Sequence, residues 1–342
     1  MGSDDAFYDP EPMASRAGCP FQAAVSADLR RFRRLLGDHG LMDSMRALEA
    51  RSARRAAAAV AFDWAVILTA WAACVLVTPW CLPLSALLVG NRQRALGNLL
   101  HDGGHWMLDP EPRRNERWVR WILAPSLFAD PRRYRDVHRE HHRHLGSPSL
   151  DPDYIHRDAY RRMSWPSILA QNVVHAPTWL QSTLGHLPHM SWRERGRVAA
   201  WWAALLGALG LASDWIPALA FAALWLGSRA TVFHVITTFR ELTDHAGLSP
   251  GNLLDFTRNG QPPGLLGWLF HPHNNGYHLM HHLNPRLPFH ALPRAHELCL
   301  VIPWYAAAHH CDGYLTGQHA VVDCWRGRCG DHARAAAGGS AP

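Results

Sequence analysis

The stretch NNGYHLMHHLNP, residues 274–285, places three histidines within five positions: His278, His281 and His282. On a helix, residues at positions i, i+3 and i+4 lie on one face, so these three imidazoles can converge on a single point. Neutral imidazole is the commonest metal ligand among side chains. The spacing therefore predicts a short helix with a metal-binding face.

Two other segments add histidines in similar patterns. HREHH, residues 138–142, repeats the spacing with His138, His141 and His142, and HDGGH, residues 101–105, places His101 and His105 four positions apart. One tetrahedral metal ion takes about four protein ligands. The eight histidines of the three clusters exceed that number, so the sequence predicts two metal ions.

The composition favours a membrane over nucleic acid as the partner. The chain has 342 residues, a net charge of +6, and 34 basic residues, all of which are arginine. A basic balance is typical of proteins that bind nucleic acid or an anionic membrane surface. The 16 tryptophans indicate the membrane, because these amphipathic rings concentrate at the membrane–water interface. The seven cysteines form no CxxC pair, so we expect reduced thiols and no zinc ribbon.

The first apolar block covers residues 64–90. It is long enough to cross about 30 Å of hydrocarbon once, at about 20 residues per pass. Pro79 and Pro83 interrupt it near its middle. We expect a hairpin whose second leg runs into the first histidine cluster, with a single span as the alternative.

A second apolar block, residues 198–236, contains one turn signal at Ser213-Asp214-Trp215, and Pro217 follows. It predicts another hairpin. The predicted fold class is thus an all-α integral membrane protein with about four transmembrane helices in two hairpins and a cytoplasmic helical cap that holds the histidine clusters.

Arginine placement predicts the orientation. Residues 103–197 hold 15 arginines, whereas the predicted outer turn of the second hairpin carries only Asp214 as a charge. Cytoplasmic segments carry such an excess of positive charge. We therefore expect both termini and every histidine cluster on the cytoplasmic side.

Three regions follow from this organisation. Residues 1–59 form an N-terminal cytoplasmic region, with a Pro-, Gly- and Asp-rich disordered start to residue 20 and then a basic helix from Leu29 to Ala59. Residues 60–305 form the membrane domain. Residues 306–342 form a C-terminal tail, which we expect to be disordered from residue 325 onward.

Isolated histidines need no special explanation, because a lone histidine is more often a surface or core residue than a ligand; His39, His156 and His319 are examples. A transporter or metal-storage membrane protein is one alternative for the clusters, but transporters place ionisable groups within the spans, and here the histidines flank the spans. A zinc hydrolase is another, but HREHH places Glu140 in a different spacing from HExxH. Metal analysis separates these classes: about two irons favours an oxidase, and zinc alone favours the others.

The motifs resemble those of the integral-membrane fatty acid desaturase family, which includes acyl-lipid desaturases, related hydroxylases and carotenoid ketolases. The similarity covers roughly residues 60–300 and rests on HDGGH, on HREHH followed by SPSLDPDY, and on NNGYHLMHHLNPRLPFHALPRAHE. The segment HHCDG, residues 309–313, matches no part of that pattern, and we assign it no role.

The resemblance implies two iron ions held almost entirely by histidines, with O2 as co-substrate and a ninth histidine before the last box. RELTDHAG, residues 240–247, stands at that place and implies His245, with His234 as the less favoured choice. The metal-binding and catalytic set expected is His101, His105, His138, His141, His142, His245, His278, His281 and His282. Ligating imidazoles usually donate their second N–H to a carboxylate or carbonyl, and the nearby acids that we expect to accept are Asp102, Asp136, Glu140, Glu241 and Asp244.

A diiron centre with nitrogen ligands suits O2-dependent removal of hydrogen from an unactivated C–H bond. We therefore expect desaturation or hydroxylation of a fatty acyl or lipid-linked chain; the alternative is a tailoring hydroxylase or ketolase that acts on a carotenoid or a specialised metabolite. The three residues between the histidines of HDGGH match acyl-lipid and carotenoid members, which disfavours free acyl-CoA. No cytochrome b5 signature is present in the sequence, so we expect an external electron donor, a ferredoxin or a cytochrome b5-like protein with its reductase.

Overall fold

The computed structural model describes residues 20–155 and 158–327, and it is mostly helical. It begins with α1, Pro20–Asp38, and α2, Met42–Leu48. The single basic helix expected from Leu29 to Ala59 is therefore wrong, because Gly40 adopts a left-handed φ of 66° that ends α1. The disordered start expected for residues 1–20 lies, up to residue 19, outside the described residues.

The first apolar block forms two packed helices. α3, Ala53–Ala72, continues as a π-helical turn at Ala73–Val77, and a 3-10 turn at Pro79–Cys81 leads into α4, Leu82–Gly104. The chain is extended at Thr78 (φ −157°, ψ 132°), as expected for a residue before proline. The Ser85 hydroxyl on α4 donates to the Ala70 carbonyl on α3 at 2.7 Å. The predicted break near Pro79 is confirmed.

Shorter helices fill the middle of the chain. They are α5, Pro112–Trp118; a π-helical turn, Val119–Leu123; α6, Ala124–Ser126; α7, Pro131–His144; α8, Trp165–Val173; and α9, Ala176–Leu184, with 3-10 turns at Asp158–Arg162 and Leu187–His189.

The second apolar block also forms two packed helices. α10, Trp192–Ala212, ends at the predicted turn, where the Asp214 carboxylate accepts from the Trp215 amide and caps α11, Trp215–Ser228. A π-helical turn, Arg229–Phe233, joins α11 to α12, His234–His245.

The last part of the chain folds over the ends of these helices. Its elements are α13, Leu253–Phe256; β1, Arg258–Asn259; α14, Leu265–Phe270; a 3-10 turn, Pro272–Asn274; α15, His278–Leu283; α16, Leu292–Cys299; α17, Pro303–Ala306; β2, His309–His310; and α18, Val321–Cys324. The strands pair in parallel, with Arg258 opposite His309 and Asn259 opposite His310.

This packing places a segment to which no role was assigned and corrects one expectation about the C-terminal region. HHCDG, to which we assigned no role, supplies β2, and Trp325, where disorder was expected to begin, is fully buried with its ring 4.9 Å from that of Phe239. Residues 328–342 lie outside the described residues. Cys324 is disulfide-bonded, so the expectation of reduced cysteines is wrong at that position, whereas Cys74, Cys81, Cys299 and Cys311 are free.

Within the described residues, two helical segments are long and apolar enough to cross a membrane, Ala53–Val77 and Trp215–His245. α4 does not qualify, because Asn91, Arg92, Gln93 and Arg94 are buried in its middle. Arg92 pairs there with Asp63 of α3 at 2.9 Å, and neither side chain reaches solvent. α4 therefore carries a polar face that packs against the rest of the protein.

Candidate metal centre

The end of α4 presents the first histidine pair. His101 lies in the last turn of this helix, and His105 is its C-cap residue. Gly103 lies between them because a Cβ there would come within 2.4 Å of a Val119 methyl group. The predicted helical placement of HDGGH is confirmed, and the glycine permits the close approach of the π-helical turn Val119–Leu123.

α7 presents the second cluster. Pro131 occupies its first turn, and the Asp130 carboxylate accepts from the Arg132 and Arg133 amides at its start. His138, His141 and His142 follow on this helix, and His141 is buried. HREHH is helical, as its spacing predicts.

α15 presents the third cluster on a helix of six residues, all of which are buried. Before it, His273 and Asn274 adopt left-handed φ values of 57° and 60°, an uncommon conformation for residues other than glycine. The Asn274 side-chain amide donates to the Phe289 carbonyl at 3.1 Å, which ties this turn to the following loop. α15 is thus held in place from both sides.

The nine predicted histidines come together in two groups. Each group offers one ring nitrogen per residue, and within a group these atoms lie within 4.8 Å of one another. The first group is His101, His105, His138, His142 and His281; the second is His141, His245, His278 and His282.

The ring nitrogens named Nε2 converge in both groups. In the first, His138 Nε2 lies 2.8 Å from His105 Nε2 and 3.0 Å from His142 Nε2. In the second, His278 Nε2 lies 3.0 Å from both His245 Nε2 and His282 Nε2. So many lone-pair-bearing nitrogens facing one another fit a shared cation better than hydrogen bonds alone, because each such bond needs one of the two atoms to carry a proton.

The two groups adjoin. The His142 ring of the first group and the His282 ring of the second have centroids 4.3 Å apart. Adjacent residues of α7, His141 and His142, belong to different groups, and so do His281 and His282 of α15. Each HxxHH motif therefore supplies ligands to both groups.

In two of the ligand histidines, the second ring nitrogen, Nδ1, lies close to an acceptor oxygen. His141 Nδ1 lies 2.7 Å from an Asp151 carboxylate oxygen, and His245 Nδ1 lies 2.7 Å from the Phe256 carbonyl oxygen. Because neither acceptor carries a proton, Nδ1 donates in both cases, and Nε2 keeps its lone pair for the shared centre.

Some of the acidic residues that we expected to accept hydrogen bonds from the ligand histidines lie near them, and others do not. Asp102 lies 3.5 Å from His101 Nδ1, and Asp244 lies 3.8 Å from His278 Nδ1. The prediction for Asp136 is wrong, because this residue is exposed and pairs with Arg139. The prediction for Glu140 is also wrong, since it pairs with Arg143 and with His144, and His144 belongs to neither histidine group. Sequence reasoning missed Asp151, although it lies in the segment SPSLDPDY that carried part of the resemblance.

Burial controls the protonation of the histidines outside the apolar helices. Loss of hydration, together with the neighbouring imidazoles, holds the pKa values of His138, His142, His278, His281 and His282 well below their usual range. Burial also acts to lower the pKa of His141, but the hydrogen bond to Asp151 and the charges of Asp153 and Asp151 outweigh it and raise that pKa. Most of these rings are therefore neutral near pH 7, as metal ligands must be.

Other histidines lie elsewhere. His234, the less favoured ninth ligand, has Nδ1 2.7 Å from the Ser182 hydroxyl and Nε2 2.9 Å from the Val173 carbonyl oxygen. His39 is exposed and bonds to the Leu35 carbonyl. His156, which we expected to be isolated, lies outside the described residues.

Comparison with known proteins agrees with these motifs. A family model for fatty acid desaturases matches residues 78–311, which is more than half of the chain. The chain belongs to the fatty acid desaturase family. A similar member is the dihydrorhizobitoxine desaturase of Bradyrhizobium elkanii, which is 30% identical over 271 aligned residues that cover 72% of this chain and 76% of that protein. The resemblance stated from the sequence is confirmed, and the chain is a desaturase-family oxidoreductase.

A cavity of about 570 Å³ opens onto the histidines of this desaturase-family protein. His101 and His138 of the first group and His141, His245 and His278 of the second line it. Much of the remaining wall comes from α4, α7, α9, α12 and the π-helical turn before α12. A substrate in this cavity would lie directly against both groups.

Proposed function

We propose that the protein is an O2-dependent, histidine-ligated diiron oxidase that removes hydrogen from an unactivated C–H bond. The observation that carries the proposal is the assembly of nine histidines into two adjoining groups. Five nitrogen donors in one group and four in the other fit one metal ion each. A single ion cannot use nine ligands, and soft thiolates, which would indicate zinc or an iron–sulfur cluster, are missing from both groups.

His101, His105, His138, His142 and His281 would hold one iron, and His141, His245, His278 and His282 the other. Iron bound there supplies the redox chemistry with O2 that amino-acid side chains lack. The chain's own residues do the rest. Asp151 and the Phe256 carbonyl fix the tautomers of His141 and His245, the burial of the groups excludes water, and the cavity positions the substrate.

We propose desaturation as the outcome, with hydroxylation as the alternative. Both begin with loss of one hydrogen from carbon; loss of a second gives an alkene, and addition of hydroxyl gives an alcohol. The relative from Bradyrhizobium elkanii is named a desaturase, with dihydrorhizobitoxine as the compound in its name. This name supports desaturation here.

A lipid-linked chain is the substrate that the family resemblance suggests, and a carotenoid or specialised metabolite is the alternative. The cavity favours a metabolite, because arginine, glutamate and threonine side chains line it beside the histidines. A saturated hydrocarbon chain offers these groups no hydrogen bonds.

We further propose that the protein sits in the bilayer as two helical hairpins, α3 with α4 and α10 with α11–α12. The histidine groups and both termini would face the cytoplasm, and a separate ferredoxin or cytochrome b5-like protein with its reductase would deliver electrons. Two apolar segments of spanning length and family membership support the membrane location.

Metal analysis of the purified full-length protein tests the proposal. We expect about two irons per chain in the wild type and clear loss of iron in His141→Ala, whereas His39→Ala, which removes an exposed histidine, should keep both irons. Mass spectrometry of lipids and small molecules from cells that express the wild type or His281→Ala then identifies the product. Zinc alone in the wild type, or full activity in His141→Ala, would overturn the proposal.

A further inference from the structure

The cavity beside the metal centre contains a buried cation without a counter-ion. Arg229, in the π-helical turn between α11 and α12, lines the cavity and is only 3% exposed. Its Nε donates to the Thr183 carbonyl at 2.7 Å, and its guanidinium lies 4.5 Å from the centre of the Phe233 ring. Its Nη1 is buried with no hydrogen-bond partner, and within the described residues no carboxylate pairs with Arg229. Burying an unpaired charge is costly, so this group calls for an anion.

A second cation reinforces this part of the cavity. Arg94 of α4 also lines the cavity, and its Nε donates to the Asn98 side-chain oxygen at 2.9 Å. Among the residues that the structure describes, Arg94 too pairs with no carboxylate. Both guanidinium-bearing side chains line the same cavity. By contrast, Arg240 is already neutralised by Asp244 at 2.7 Å. Arg94 and Arg229 together therefore form the cationic part of the cavity.

The walls nearby offer further unused polar groups. The hydroxyls of Thr237 and Thr238 are buried and have no hydrogen-bond partner in the described part of the chain. Glu241, one turn further along α12, lines the same cavity. Between residues 20–155 and 158–327, no arginine or histidine forms a salt bridge with it. An acyl chain packed against these groups would leave each one unsatisfied, at a cost of about 1–3 kcal/mol for each. A ligand with polar groups of both signs would satisfy them.

We propose that this cavity binds a small carboxylate-bearing metabolite that also carries a hydrogen-bond donor, of the chemical class of free amino acids. Arg94 and Arg229 would bind its carboxylate, and Glu241 would accept from its ammonium group. The metal centre would then face an unactivated carbon of the same molecule. This assignment rests on the proposed function and names its substrate class.

Ligand binding to the iron-loaded, detergent-solubilised full-length protein tests this assignment. The probes are L-norleucine, L-norleucinamide, which lacks the carboxylate, and palmitate. We expect L-norleucine to raise the Tm in a dose-dependent way, since a ligand that binds only the folded state stabilises it, and the other two probes to leave the Tm unchanged.

Variants of Arg229 test whether L-norleucine binds at this part of the cavity. Arg229→Gln should weaken L-norleucine binding about tenfold to a hundredfold, because a charge-assisted hydrogen bond is lost, and Arg229→Lys should recover part of the affinity. Arg193→Gln, which changes an exposed arginine of α10, is the matched control and should bind as the wild type does. Iron content shows whether each variant is folded.

The outcomes separate the two proposals. Two irons per chain with a response to palmitate alone, or with no response to L-norleucine, would overturn the substrate class and leave the diiron oxidase standing. An unchanged affinity for L-norleucine in Arg229→Gln would overturn the role of Arg229. Absence of iron in the wild type would overturn the diiron function itself.

Discussion

Asp151 supports the metal centre through one hydrogen bond to His141. It lies ten residues beyond this histidine, in a loop where Gly146 takes a φ of 79° and donates its amide to the second Asp151 oxygen at 2.9 Å. The spacing of the histidines is visible in the sequence because a helix fixes it. The partner of His141 is not visible in the sequence, because the conformation of the loop after α7 determines which carboxylate lies next to the helix. Proximity in the sequence pointed instead to Asp136 and Glu140.

Replacing Asp151 by Asn should weaken metal binding about tenfold to a hundredfold, as is usual when the outer partner of a ligating histidine is lost. Asp136→Asn, which changes an exposed carboxylate on α7, is the matched control and should have no effect. Metal affinity is measured by competition with a chelator. Equal affinities in the two variants would mean that the His141–Asp151 bond does not orient the ligand.

The metal-free protein should lose stability as the pH falls below about 6.5, the ordinary pKa of histidine. Burial lowers the pKa values of five ligand histidines in the folded state, so the unfolded chain binds more protons in acid and stability rises with pH through this window. His141 has the opposite effect on stability, because its pKa is raised. The five histidines with lowered pKa values outnumber it, so the net stability still falls in acid.

Chelator-treated and iron-loaded protein should be unfolded side by side from about pH 8 to pH 5. Bound metal holds the ligands neutral, so the loaded protein should lose stability only at lower pH. The same pH dependence in both preparations would show that groups other than these histidines control it.

At the scale of elements, a buried charge network joins α3, α4 and the turn before α15. The Asp63 carboxylate accepts from Arg92 at 2.9 Å and bonds to His273 Nε2 at 2.8 Å. The Arg92 guanidinium also lies 4.2 Å from the centre of the Trp268 ring. The network ties the helix pair to the segment that leads into the third histidine cluster.

Asp63→Ala should destabilise the protein by about 3–5 kcal/mol, because it leaves the Arg92 charge buried and unpaired. The double change Asp63→Ala with Arg92→Met should recover much of this loss, since it removes both charges. Asp43→Ala breaks the exposed pair with Arg46 on α2 and should have little effect. Unfolding in detergent measures all three, and a double variant no more stable than Asp63→Ala would argue against an electrostatic cause.

Elements were predictable where a period or a proline marked them. Pro79 and the Ser213–Asp214 turn ended the long helices as expected. The C-terminal pieces escaped prediction because β2 has two residues and α18 has four, too few to show any periodicity. Their position depends on contacts with distant residues such as Phe239.

For the whole molecule, arginine placement predicts which surfaces face the cytoplasm. A cysteine introduced at the exposed Asp214, in a background with Cys81 replaced by Ser, should react with an impermeant thiol reagent added outside intact cells. A cysteine at the exposed Ser149 should react only after the membrane is opened. The reverse pattern would overturn the proposed orientation.

We could predict from the sequence the family, the helical character and the convergence of nine histidines, because side-chain chemistry and helical spacing determine them. The polar cavity could not be predicted, because its wall is assembled from α4, α7, α9 and α12, which are separate segments of the chain. No local pattern around Arg229 reveals that its guanidinium is buried without a partner.

The π-helical turn at Arg229–Phe233 has a consequence for insertions and deletions. A regular helix turns about 100° per residue, and a π-helical turn accommodates one extra residue. Deleting one residue within this turn would let it close as a regular helix and leave the orientation of α12 nearly unchanged. Deleting one residue from the regular helix on either side of the turn would instead rotate the residues beyond it by roughly that angle, which would carry Glu241, Asp244 and His245 away from the cavity. Relatives that share the site should therefore tolerate a one-residue length difference at this turn more readily than elsewhere in α11 or α12, and an alignment that opens the gap elsewhere in these helices would compare different helix faces.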